Sequence, residues 1–220
     1  VAGPYDRQLI CALLGGADNA SISAQAEALN RKRRDPPLPS EVVAVQRGAP
    51  SALTHDVCDI EALRLALSGE LQVKSPLTGR SRLYLLGEGS AVQRTLGGWD
   101  PAALAMLLAR AGLREVGLIS IVGDGAGRDP ARSDAEQTHA DAVSFASLLH
   151  RALRHDHGIV TTINARVGAV RVVSEASGGI EVGRKITGPQ THGGASQHHA
   201  ANSKLRLWWD GDQQLRAWSY

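Results

Sequence analysis

Two acidic residues sit where apolar runs break into glycine. Glu88 lies in "RLYLLGEGS" (82–90) and Asp124 in "LISIVGDGAG" (118–127). Each run reads as a short buried strand, and the flanking glycines let the backbone turn sharply behind it. The segment between them, "WDPAALAMLLARAGL", reads as a helix. A strand–helix–strand unit places its strands parallel with a right-handed crossover. Ligands of open parallel sheets bind beyond the carboxyl ends of the strands. Glu88 and Asp124 are therefore expected to face one crevice. Two carboxylates in a shared cleft push one pKa up, which yields one acid and one base, suited to glycosidase-like or metal-assisted hydrolysis. No further metal ligands accompany them. The other reading of the pair is a decayed site. A phosphate-loop reading of "GDGAG" lacks the full glycine fingerprint and a helix directly after it.

A second chemistry resides in the cations. Arg31 to Arg34 form the run "RKRR", with Lys32, Arg33 and Arg34 closing the first helix. Arg82 opens the strand that ends at Glu88, Arg184 and Lys185 lie in "GRK", and Lys204 precedes Trp208 and Trp209. A dense polyanion needs several convergent cations, Arg supplying forked contacts and Lys a point charge. Cations at a helix C-terminus also favour the helix dipole, and these residues are far apart in sequence, so only the fold can gather them. The net charge of +2 is too small to point to nucleic acid. His192, His198 and His199 lie in the polar loop "GPQTHGGASQHHAANS"; without a Cys or acidic partner they make no metal site, and at neutral pH they are mostly uncharged. His139, His150, His155 and His157 read as helix-surface or loop residues. Cys11 lies inside the first strand and Cys58 before a short helix, and two cysteines build neither a disulfide framework nor a zinc site.

The positioning elements follow from pattern. With 220 residues, 43% hydrophobic and 21% charged, the chain reads as one α/β domain with a sizeable core. No apolar run is long enough to span a membrane. The sequence starts at Val1 without a signal-peptide pattern, as expected for a piece of a longer protein. "QLICALL" and "EVVAVQR" read as strands, separated by a helix that "RDPPLPS" must break. Asp59 caps a short helix carrying Ile60, Leu63 and Leu67. Asp100 caps the next, with Pro101 at its first position and Leu104, Leu107 and Leu108 on one face. A capping box at Ser133 and Glu136 predicts a long helix with Val143, Ala146, Leu149 and Leu153 inward. "IVTTINAR" (159–166) is the next strand. Beyond it, "AVRVVSE", "GIEVGRK", "KLRLWWD" and "QLRAWSY" read as short antiparallel strands, with one of Trp208 and Trp209 in the core and the other exposed.

These stretches resemble the cysteine protease domains of MARTX and large clostridial glucosylating toxins. In that family a strand ending in "GHG" supplies the catalytic His and one of the type "ISIVGCS" supplies the catalytic Cys; here "LYLLGEG" and "ISIVGDG" stand in their places. "YDRQLICALL" is similar to the family's first strand, "AEALNRKRR" to its first helix, and "INARVGAVRVV", "GRKITG" and "SKLRLWW" to its C-terminal flap. The resemblance implies a caspase-like, mostly parallel central sheet flanked by helices, with a C-terminal β-rich flap. It forms one domain over 1–220, an α/β core at 1–166 and the flap at 167–220. It also implies a basic pocket for inositol hexakisphosphate, mapping onto Lys32, Arg33, Arg34, Arg82, Arg184, Lys185 and Lys204. A cysteine protease needs a thiolate and a base, and Glu88 and Asp124 provide neither. The expectation is a pseudoprotease binding or sensor module of a secreted bacterial toxin or effector, acting in a host cytosol. It would use no metal, and its partner would be the polyphosphate or a host or self protein segment. The alternative is a hydrolase using Glu88 and Asp124.

Overall fold

The computed structural model describes residues 5–31, 38–47, 60–177, 180–187 and 204–219, and the side chains among these except at 171 and 173–187. Strand β1 (Gln8–Leu14) pairs in parallel with β2 (Ser40–Gln46) and β3 (Arg82–Gly87). β3 pairs in parallel with β6 (Leu118–Val122), and β6 with β7 (Thr162–Arg166). Two antiparallel strands, β10 (Lys204–Asp210) and β11 (Gln213–Trp218), complete a seven-stranded sheet of order β11-β10-β7-β6-β3-β1-β2. The expected mixed α/β architecture with a mostly parallel sheet is therefore what the chain adopts.

Period-2 alternation assigns the two faces. Leu9, Cys11, Leu13, Leu83, Leu85, Ile119, Ile121, Ile163 and Leu207 pack under three helices, α2 (Ile60–Ser68), α3 (Pro101–Arg110) and α4 (Phe145–His155). Burying each such Leu or Ile fully contributes roughly 1.5–3 kcal/mol. The opposite face, with Ile10, Ala12, Tyr84, Leu86 and Val122, meets α1 (Asn19–Asn30) through Ile22, Ala26 and Leu29, and Val170 and Val172 of β8 (Val170–Ser177). β8 pairs with β9 (Ile180–Thr187) in a separate hairpin, which is tied to α1 where the Val172 N–H donates to Gln25 Oε1 at 3.0 Å. The residues expected to form a single flap thus divide. β8 and β9 cover α1, whereas β10 and β11 join the central sheet, because β10 finds the open edge of β7.

Local signals hold at α3, where the Asp100 carboxylate accepts the Ala103 N–H at 2.9 Å and Pro101 opens the helix. They misplace the start of α4. The Ser133–Glu136 capping box forms, but it caps a single 3-10 turn (Asp134–Glu136); α4 begins at Phe145, eleven residues after the start of that turn, with Ser144 as its cap. The reason lies in Gln137, which is fully buried and bonds backbone rather than extending a helix. Its Oε1 accepts the Asp129 N–H at 2.7 Å, and its Nε2 donates to the carbonyls of Asp129 and Arg132 at 3.0 Å each. The Asp129 carboxylate accepts from Ala131 and Val143. Side chains that satisfy backbone in this way compete with helix formation. Val143 accordingly precedes α4, while Ala146, Leu149 and Leu153 are buried as expected.

Candidate functional site

The parallel register Leu86↔Val122 brings the ends of β3 and β6 side by side, so Glu88 and Asp124 emerge at the same end of the sheet. The two loops touch. A Cβ on Gly89 would come within 2.4 Å of the Asp124 carbonyl oxygen and 2.6 Å of its nitrogen, so only glycine fits there. After Glu88 the chain folds into a small hairpin of β4 (Gly89–Ser90) and β5 (Thr95–Leu96).

Each carboxylate is nonetheless engaged in its own direction. Glu88 Oε2 accepts the Ala17 N–H at 3.1 Å, fixing the connection between β1 and α1. Asp124 Oδ1 accepts the Val170 N–H at 2.8 Å, fixing the first residue of β8. Both side chains are exposed. Cys11 is wholly buried under the helices, and Cys58 lies outside the described residues. Among the described residues no cluster of His, Cys, Asp and Glu suits a metal ion.

The cations meet elsewhere, on the sheet face that α1 covers. In the register Tyr84↔Ser120↔Asn164↔Arg206, four consecutive strands point polar groups to that face. Arg82 lies two residues before Tyr84, and Arg166 pairs directly with Lys204 across β7 and β10. Arg82, Tyr84, Ser120, Asn164, Arg166 and Lys204, with Val170, line a cavity of about 180 Å³. Among the described residues no carboxylate lines it. Arg166 and Lys204 stand directly opposite each other on neighbouring strands, where like charges repel and a bound anion lowers that repulsion. Burial first, then the charges of Arg166, Arg82 and Arg206, push the Lys204 amine below its ordinary value; burial alone lowers Arg166.

Arg82 is preset by aromatic partners. Its guanidinium lies 4.0 Å from the Tyr5 ring centroid and donates from Nη1 to the Tyr84 hydroxyl at 2.9 Å. Its Nε–H, like the Asn164 side-chain oxygen, is buried with no hydrogen-bond partner among the described residues. The Arg82 Nε–H is a donor beside a cationic cavity, and a phosphate oxygen is an acceptor suited to it.

Of the basic residues expected to hold a polyanion, Arg82 and Lys204 come together. Arg184 and Lys185 lie in β9, opposite Val173 and Val172, with side chains outside the described ones. Lys32, Arg33 and Arg34 lie outside the described residues, as do Asp59, His192, His198 and His199. Sequence reading missed Arg166, Asn164 and Ser120. Their signal was polar residues at alternate positions of "LISIV" and "TINAR", strands otherwise apolar. His150, expected at a surface, is fully buried instead.

No family model matches the sequence, and no curated protein does either. The structure is similar to that of a secreted C11 cysteine protease from Bacteroides thetaiotaomicron, "iotapain", at 10% sequence identity and a TM-score of 0.40. The match covers 76% of this chain and 53% of that one, so the chain spans about half the length of the protease.

Proposed function

We propose that this chain is a caspase-like pseudoprotease domain of a secreted bacterial toxin or effector. In this reading it works as a polyanion-binding sensor, and its ligand is inositol hexakisphosphate. The observation that carries the reading is the meeting of Arg82, Arg166 and Lys204 around one cavity, with no carboxylate in its wall among the described residues. The residue types at 88 and 124 support the absence of thiol chemistry, since neither offers a thiolate nucleophile or an imidazole base. The cavity, about 180 Å³, has room for about six waters at ~30 Å³ each. It therefore takes one edge of the polyphosphate, leaving the other phosphates to cations around its mouth. Ligand entry in a host cytosol would then order the domain or expose a surface for a protein segment.

Thermal denaturation of the chain with and without inositol hexakisphosphate tests this. Ligand at 100 times its dissociation constant adds about 2.7 kcal/mol. For a domain of this size that raises Tm by roughly 5–10 °C. The gain is expected to fall away in the Arg166→Ala/Lys204→Ala double variant. An unchanged Tm at saturating ligand removes the polyphosphate reading. The alternative, hydrolysis by a Glu88/Asp124 acid/base pair, has against it that the two carboxylates accept backbone N–H groups of different segments, Ala17 and Val170. It predicts an activity that Glu88→Gln and Asp124→Asn each abolish; hydrolysis that survives both dismisses it.

A further inference from the structure

From the cavity and the loop behind it, we infer that Asp124 is a positioning residue of the anion cavity. Its carboxylate holds the start of β8 so that the cavity wall is formed before ligand arrives. This rests on the polyanion reading of that cavity and assigns a role to a residue that the reading leaves without one.

The loop after β6 touches the cavity wall from behind at three places. Asp124 Oδ1 accepts the Val170 N–H at 2.8 Å. The Gly127 N–H donates to the Arg166 carbonyl at 2.7 Å, and the Gly125 N–H to the Gly168 carbonyl at 3.4 Å. Arg166 and Val170 are both cavity-lining residues, and residues 167–169 connect them. The loop therefore clamps the two ends of the short connection between β7 and β8. A Cβ on Gly127 would stand 3.0 Å from the Arg166 carbonyl oxygen, which is why this approach takes glycine. Of the three contacts, the bond from Asp124 has a charged acceptor, and charge-assisted hydrogen bonds are roughly twice as strong as neutral ones. It is also the one made by a side chain, and so the one that a substitution can remove without changing the backbone.

A preformed wall spares the ligand the cost of ordering it. Removing the clamp leaves Val170 and the Arg166 backbone free to sample other positions, and affinity falls by the fraction of chains that keep the wall. Electrostatics makes the opposite prediction. Asp124 is a negative charge bonded to Val170, a residue of the cavity wall, and deleting it should by Coulomb's law strengthen polyanion binding. A loss of affinity on deletion therefore reports positioning and not charge.

The test is calorimetric titration of inositol hexakisphosphate into wild type, Asp124→Ala and Asp124→Asn. The amide oxygen of Asn still accepts from Val170, so Asp124→Asn is expected to bind as tightly as wild type or more tightly. Asp124→Ala is expected to bind about tenfold more weakly. Asp124→Leu, similar in shape and without an acceptor, repeats the measurement at this exposed position if the alanine variant does not fold. Ala and Leu variants that bind as tightly as wild type overturn the inference. Hydrogen exchange at the Val170 amide separates the two claims. If wild type does not bind, the polyphosphate reading fails, and exchange alone decides the positioning role. Protection in wild type and Asp124→Asn that is lost in Asp124→Ala supports it; equal protection in all three overturns it.

Discussion

Glu88 and Asp124 show how residue type and residue environment divide the work. Their identities supply no thiol at these two positions, and what they do depends on which amide lies within reach. Both act as acceptors for a backbone N–H across a loop, a use open to any exposed carboxylate. Between them sits Gly89, packed against the Asp124 backbone. Gly89→Ala must push the ends of β3 and β6 apart, and overpacking of this kind costs about 2 kcal/mol. We expect a lower urea midpoint at unchanged m-value. Gly79→Ala is the control: its Cβ would meet only Glu115 Oε2, at 3.5 Å, so a change within about 0.5 kcal/mol is expected. Equal effects at the two positions would contradict the close approach.

At the scale of elements, α4 and the edge strand β11 are joined through a buried histidine. His150 Nε2 donates to the Thr161 carbonyl at 2.8 Å, and Nδ1 accepts from Gln214 Nε2 at 2.8 Å. The same Gln214 nitrogen donates to the Ser147 carbonyl, and the Trp209 ring stacks on the imidazole at 4.8 Å. Every polar atom of the ring is thus satisfied in the neutral form. Burial first, then the nearby Arg154, Arg151 and Arg216 charges, lower its pKa to about 4, while the Thr161 carbonyl opposes the shift. The unfolded chain takes up this proton near 6.5, so between 6.5 and 4 the unfolded state binds more protons. Stability is full above pH 6.5 and falls with pH through that window, by up to about 3 kcal/mol. The carboxylates held below their ordinary values, Asp6, Asp129 and Glu136, lose their contribution only at lower pH. Urea unfolding from pH 7.5 to 5 should therefore show a slope in wild type that is absent in His150→Gln. A flat wild-type profile would show that the imidazole is not held neutral. A second clamp lies at the other side of the sheet. Arg7 and Glu41 are wholly buried, and Arg7 also donates to the Ser75 and Ala66 carbonyls, tying β1 and β2 to the end of α2.

For the whole molecule, the distribution of charge matters more than its sum. A net charge of +2 is unremarkable, yet Arg82, Arg166, Lys204 and Arg206 share one face of the sheet. The rise in Tm on adding inositol hexakisphosphate should accordingly shrink as salt is raised, because screening weakens attraction at the mouth of the cavity. A rise independent of salt would place the ligand elsewhere. Among the described residues no helix is long and apolar enough to cross a membrane.

The amino-acid sequence by itself determined the parallel α/β core, the neighbouring positions of Glu88 and Asp124, and the capping of α3. These depend on period, on strand–helix–strand chirality and on contacts three residues apart, all written locally. It also excluded thiol chemistry at 88 and 124, which is a matter of residue type alone. The tertiary structure decided the rest. It split the C-terminal strands between the central sheet and a separate hairpin, because β7 offered an open edge. It delayed α4, because buried Gln137 and Asp129 satisfied the preceding backbone first. It set Arg166 beside Lys204 and Arg82, residues up to 122 positions apart in sequence, because strand order brings β3, β6, β7 and β10 side by side. Beyond the neighbouring pair β3 and β6, strand order is a long-range property that no local pattern encodes.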